Sequence, residues 1–522
     1  MASNYRNILL EDFHVLELKN NYLENELKQL KYEYKLLESK NKTLQNRFDE
    51  VKKIVEKENQ QTIKKYEKVI EDKDKEIARL RAIINNDSTN CGISTSKTPI
   101  NKNKIVPNSR IKSNKPLGGQ KGHKKHKLER FNDNEITEEK IVELDKCPTC
   151  NGELVDINET IDKDILDYKL VVVKKRYKFK KYKCECCKKE MHYPIPNELK
   201  EENQYGPNVK TLILELLNEG YVSINRVKRI IKGFTGNEID LSEGYISKVQ
   251  KKAAKNLVDF NNELMKEILK KEMIYWDDTV IYTNQKRTCL RFYGNEKLAY
   301  YKAHEQKNKE GLDKDQILNN LGEKTKVMHD HNKVNYNEEY RFQNIECNAH
   351  LQRDLQKVID NLNHSWAKKL KELITEGIKK RNELIEKDQK NDEEFTNNFF
   401  EKFNEIMIKA IKENKEDKSK YYVDTENTLI LRILEYKENY FLWVVDFEIP
   451  TTNNLSERAL RSSKTKMKVS GQFQNIERAQ DYASIKSYIE TMYRNNYNPY
   501  ESLFHLVIGE PLSIKDIESE KK

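Results

Sequence analysis

Three acids at distant positions in this sequence have the surroundings to do chemistry together. MIYWDDTVIYT (273–283) reads as a strand of β-branched and aromatic residues interrupted by Asp277 and Asp278. TKVMHD (325–330) reads as a further strand that ends in Asp330. Much later, TTNNLSERALRSSKTK places Glu457 on a helix; within about 80° the same face also carries Asn453, Arg461 and Lys464. A carboxylate is costly to bury unless a metal or hydrogen bonds hold it. Three carboxylates arriving from two strands and a helix can hold two divalent ions about 3.5–4 Å apart, activate a water or a 3′ hydroxyl, and stabilise the leaving oxygen of an in-line phosphoryl displacement. Oxygen donors favour Mg2+ or Mn2+ over zinc. Amide and cationic groups beside Glu457 could then face phosphates. Side chains alternate along a strand, so Asp277 and Asp278 face opposite ways, and spacing alone leaves open which one joins the others. For Glu457 taken by itself, the plain alternative is a solvated helix start.

A second set of candidate ligands lies upstream. CPTC (147–150) and CECC (184–187) each put two residues between paired cysteines, with 33 residues between the pairs. Two such knuckles can present Cys147, Cys150, Cys184 and Cys187 to a structural zinc ion. The spacer is longer than usual, Cys186 is a rival ligand, and free or redox-active thiols are the other reading. Eight cysteines in 522 residues are too few for a disulfide scaffold, and five of them fall between 147 and 187.

These groups need elements to position them. The length suggests three or four domains or an elongated chain. Charged residues make up 35% of the sequence and hydrophobic ones 36%, which points to long solvated helices beside ordinary cores. Lys+Arg number 96 and Asp+Glu 86, for a net charge of +10, a balance compatible with nucleic acid. No run of about 18 apolar residues and no export leader is present, so a soluble, non-exported chain is expected.

From 9 to 90 a period of seven runs through Leu16, Leu23, Leu30, Leu37, Leu44 and Val51, with Asn20 and Asn41 interrupting it, and resumes at Ile63, Ile70, Ile77 and Ile84. That is a leucine-zipper-like coiled coil over 1–90, suited to self-association or to pairing within the chain. Residues 91–135 are polar, basic and broken by Pro and Gly, a flexible linker whose lysines could hold phosphates. The cysteine region fills 136–200. Residues 201–268 look helical, with Ser242 capping a basic helix; a DNA-reading helix-turn-helix and plain helical packing are both compatible. Strands return from 269. A mostly helical, charged stretch over about 351–440 then separates Asp330 from Glu457, so the chain must come back to the same sheet for the three acids to meet.

Taken together these motifs resemble the transposases of the insertion sequence 66 family. NCGISTSKTP is similar to that family's Asn/Ser/Pro segment, LGGQKGHKKH to its Gly-Gly-Gln-x-Gly-His motif, and the cysteine pairs to its zinc-binding domain. YGPNVKTLILEL resembles the opening of its central helical domain, and WDDT its first catalytic motif, in which Asp278 stands where Glu is usual. HDHNKVNY with CNAHLQRDL resembles the second motif and its continuation. TTNNLSERALR resembles the Asn-Asn-x-x-Glu-Arg motif, and KVSGQF the glycine element after it.

The resemblance implies a multidomain chain of mixed α+β and α/β class: coiled coil, zinc ribbon, helical domain, and a ribonuclease-H-like catalytic core over 269–490 with the helical insertion, followed by a C-terminal segment (491–522). It makes Asp277, Asp330 and Glu457 a DDE metal-binding triad and Lys464 a phosphate contact. It implies a bacterial, cytoplasmic, nucleoid-associated DNA transposase. Such an enzyme binds its element's terminal inverted repeats, cuts there and joins 3′ ends to target DNA, with accessory proteins of the same element as possible partners. The competing expectation is a non-catalytic zipper and zinc-ribbon DNA-binding protein, a decayed transposase or repressor; a nuclease that cuts without joining is a third.

Overall fold

A computed structural model of the chain describes residues 128–519, apart from positions 158, 197–198, 200 and 418–421, together with the isolated positions 70, 73 and 122. The expected coiled coil and the Gly-Gly-Gln-x-Gly-His segment lie outside the described residues, save those isolated positions.

The cysteine region carries one short hairpin, β1 (Lys181–Lys183) paired antiparallel with β2 (Glu190–His192). Four helices follow: α1 (Pro207–Asn218), α2 (Ile224–Phe234), α3 (Glu243–Asn256) and α4 (Val258–Ile268). Ser242 caps α3 as its residue type predicts, Oγ accepting from Tyr245 N at 3.1 Å.

The sheet is built from β3 (Met273–Thr283), β4 (Lys286–Gly294), β5 (Ala299–His304), β6 (Lys326–His329) and β7 (Gln343–Glu346) in the order β5-β4-β3-β6-β7. β3, β4 and β5 form an antiparallel meander, and β6 and β7 add parallel to β3. The two-residue turn between β3 and β4 has Asn284 and Gln285 at φ 46 and 64, the left-handed pair that a tight hairpin requires. A short helix α5 (Lys309–Asp313) lies between β5 and β6. This is a mixed α/β core, compatible with the expected ribonuclease-H-like one.

Between β7 and the Glu457 helix come α6 (Asn348–Leu362), α7 (Ser365–Ile385), α8 (Glu393–Glu416), α9 (Val423–Glu435) and α10 (Lys437–Val445). The Glu457 helix is α11 (Asn454–Ser470); α12 (Ile476–Arg494), α13 (Pro499–Ile508) and α14 (Ile514–Ser519) are the last of the described elements.

Strand alternation divides the sheet between two cores. Tyr275, Ile281 and Met328 belong to one, which they share with α6 to α11. Ile274, Trp276 and Val327 belong to the other, which they share with α1 to α4, α13 and α14. The segments at 201–268 and 491–519 therefore close over one face of the sheet together. Arg291 and Asp315, both fully buried, form an ion pair at 2.7 Å near the β4–α5 junction, and Tyr293 Oη donates to the same carboxylate oxygen at 2.9 Å.

Candidate active site

On β3 the side chain of Asp277 lies on the Tyr275 side and that of Asp278 on the Trp276 side. Asp278 is paired with Lys307 Nζ at 2.6 Å. Asp330 follows β6 two residues after Met328, so it shares the face of Asp277. The loop after it is pinned: His331 Nδ1 is 2.8 Å from the buried carboxylate of Glu346, to which Tyr336 Oη also donates at 2.6 Å.

α11 reaches this face through Asn453. The residue is fully buried, its Nδ2 donates to Trp276 O at 2.9 Å, and its backbone N–H donates to Cys347 Sγ at 3.2 Å. One bond ties the helix start to β3 beside Asp277, and the other ties it to the junction of β7 and α6. Glu457 then sits in the first turn of α11, where the helix dipole favours an anion.

α6 supplies cations at the same place. His350 Nδ1 lies 2.9 Å from Asp330 Oδ1 and 3.8 Å from Glu457 Oε1. Arg353 Nη2 lies 3.5 Å from Glu457 Oε1, while its Nη1 lies 2.8 Å from His350 Nε2. Arg461 Nη2 approaches Glu457 Oε2 at 3.6 Å from the exposed side. Asp330 Oδ1, His350 Nδ1 and Glu457 Oε1 are shielded from solvent, yet none has a well-aligned hydrogen bond. Among the described residues one group of three metal-binding types has its ligand atoms all within 4.8 Å of one another: Asp330, Cys347 and His350.

The carboxylates titrate apart. Burial, and then the charges of Asp330 and Asp278, push Asp277 up to about 8. Burial would also raise Asp330, but the close His350 ring and the Asn453 side chain outweigh it and hold the group below its usual value. Burial opposes a charge on His350, and the Asp330 carboxylate overcomes it, so the ring binds its proton more tightly than a free imidazole does. Carboxylates crowded in this way favour the binding of a cation, which offsets their mutual repulsion.

Residues 202–481 match the Transposase IS66 family, a stretch that covers more than half of the chain and contains all three acids. The chain belongs to the IS66 transposase family. It is thus a DNA transposase in general terms, of a family that suggests divalent-metal use. A comparison with curated proteins gives no match. No helix among the described residues is long and apolar enough to cross a membrane.

In this IS66 transposase the structure brings Asp277, Asp330 and Glu457 to one face of the sheet and leaves Asp278 on the other. Of the groups expected to face phosphate, Arg461 and Lys464 are exposed, whereas Asn453 is interior and acts as a tether between elements. Each cysteine pair forms its own turn. Cys147 N bonds Gly152 O and Asn151 N bonds Cys147 O; Cys184 N bonds Lys189 O and Lys188 N bonds Cys184 O. Asn151 and Lys188 take positive φ of 60 and 56 at equivalent places. Thr149 and then Cys150 lower the pKa of the Cys147 thiol, while Cys187 and then Cys186 do the same for Cys184. The one group of three metal-binding types found within 4.8 Å among the described residues does not include these cysteines.

Cys347, His350 and Arg353 escaped the reading of the sequence by residue type. Their three-residue spacing at a helix start, which puts His350 and Arg353 on one face, is the signal that could have found them.

Proposed function

We propose that this transposase cuts DNA at its element's ends and joins the 3′ ends to target DNA by metal-dependent phosphoryl transfer on a ribonuclease-H-like core. Asp277, Asp330 and Glu457 would hold Mg2+ or Mn2+. The observation that carries the reading is the convergence of the three acids: two from adjacent parallel strands and one from a helix tied to β3 by Asn453.

The donor set fits hard divalent cations, since all three are carboxylates, and the shielded Asp330 Oδ1 and Glu457 Oε1 lack aligned hydrogen bonds. When bound, such ions activate a water or 3′ hydroxyl and neutralise the leaving oxygen. Asn453 sets the distance between α11 and β3, and hence where Glu457 stands relative to Asp277. Arg353 orients Glu457 from the α6 side. Arg461 and Lys464, exposed on α11, would hold DNA phosphates as point contacts that weaken with salt.

The cysteine turns support a structural zinc ribbon of Cys147, Cys150, Cys184 and Cys187, because backbone N–H groups aimed at the sulfurs favour thiolates. Self-association through residues 1–90, end recognition by the basic and helical segments, accessory proteins and a nucleoid location complete the proposal.

The test is strand transfer in Mg2+ on DNA taken from the flanks of the gene. Joined products lost in Asp330→Ala and Glu457→Ala are expected. Full activity in either variant would overturn the assignment. Cut ends without joined products would favour a nuclease, and metal-independent binding without nicking would favour a repressor.

A further inference from the structure

Cys347 has no part in the phosphoryl-transfer scheme, yet it stands among that scheme's groups. Its thiol is buried at the N-terminus of α6, one turn before His350, and its sulfur lies within 4.8 Å of ligand atoms on both His350 and Asp330. Oxygen, sulfur and nitrogen donors so gathered suit an ion that magnesium does not resemble. Magnesium demands near-octahedral oxygen ligands, whereas zinc takes thiolate at about 2.3 Å and imidazole or carboxylate at about 2.0–2.2 Å, leaving a fourth tetrahedral position for water. Asp330 Oδ1 and His350 Nδ1 are shielded and lack an aligned hydrogen-bond partner, although they are 2.9 Å apart. The Asn453 N–H directed at Cys347 Sγ is the kind of contact that stabilises a metal-bound thiolate.

We propose that Asp330, Cys347 and His350 form a binding site for a thiophilic divalent ion, zinc foremost, which takes Asp330 from the catalytic metal and so inhibits the enzyme. The site itself stands on these three residues; only the inhibition rests on the proposed function. Binding releases two protons to solvent: that of the Cys347 thiol and the one the His350 cation carries on Nδ1, whose lone pair the metal needs, so the neutral ring keeps its proton on Nε2. Arg353 Nη1, 2.8 Å from Nε2, then turns away from that N–H.

The experiment uses the full chain, stripped of metal and titrated with Co2+, whose bonds to thiolate give a charge-transfer band. Wild type, Cys347→Ser and His350→Gln are compared, with thermal unfolding recorded for each. The cysteine pairs upstream contribute equally to all three. Wild type should therefore hold about one equivalent of cobalt per chain more than either variant. The zinc concentration that halves each protein's own Mg2+-supported cleavage should rise by at least about tenfold in the variants. Equal cobalt stoichiometry in wild type and whichever variants remain folded would overturn the site. Unequal stoichiometry with equal zinc sensitivity would overturn the inhibition. If no protein cleaves DNA in Mg2+, the proposed function fails, while the cobalt count still decides the metal site.

Discussion

The side-chain amide of Asn453 donates to the carbonyl of Trp276 at 2.9 Å, although 177 positions separate the two in sequence. This bond fixes the start of the Glu457 helix against the residue that precedes Asp277. Asn453→Ala leaves a buried carbonyl without its donor, so a loss of about 1–3 kcal/mol of stability is expected by denaturant unfolding. Cleavage should fall by roughly 10–100-fold, as for a residue that supports metal ligands. A stability loss with unchanged cleavage would show that the tether does not set the site.

The two adjacent aspartates should separate in function. Asp277→Asn removes a group that faces Asp330 and His350, whereas Asp278→Asn removes one that faces Lys307. Losing a metal ligand forfeits several kcal/mol of transition-state stabilisation, on the order of a 10³-fold drop in rate. Cleavage in Mg2+ should fall on that scale for Asp277→Asn, Asp330→Asn and Glu457→Gln, and by less than about tenfold for Asp278→Asn. The reverse order of the two β3 variants would move the first ligand by one residue.

Protonation of Asp277 gives a pH signature in metal-free protein. Its folded-state value, about 8, lies above its usual 3.8, so the folded chain binds the extra proton between these limits. The stabilisation from this group is complete below about pH 4 and is lost as pH rises through 8. In EDTA the difference in stability between wild type and Asp277→Asn should therefore shift against wild type from pH 5 to 8, measured by thermal melts. Added Mg2+ should reduce that shift and release protons to an unbuffered solution.

A stability control lies outside the site. Arg291 and Asp315 are fully buried and paired at 2.7 Å. Asp315→Ala leaves the guanidinium uncompensated, at a cost of about 3–5 kcal/mol. The double variant Arg291→Met with Asp315→Ala should recover part of that loss in urea unfolding, because no lone charge stays buried.

Much of the frame is legible in residue order. The apolar alternation of 273–283 and the acid after TKVMH mark β3 and β6 because strand periodicity is local. Ser242 announces a helix start because its cap bond spans three residues. β7, only Gln343–Glu346, is too short and too polar at its first two positions to show a period, and it gains its place by pairing with β6.

By itself the sequence determined which chemistry was on offer: three acids, two cysteine pairs, and an order of motifs that resembles one transposase family. Tertiary structure alone decided which groups meet. Asp277 and Asp278 are neighbours on one strand, and the face of β3 that each side chain takes distinguishes the acid near Asp330 from the one near Lys307. Asn453 looked like a phosphate contact from its place on the helix face, and packing turned it inward to hold Trp276. Cys347 and His350 join Asp330 because β6, β7 and α6 are adjacent in space. The reason is common to all of these: the identity of a side chain is set by sequence, but its partners depend on long-range burial, which no local period encodes.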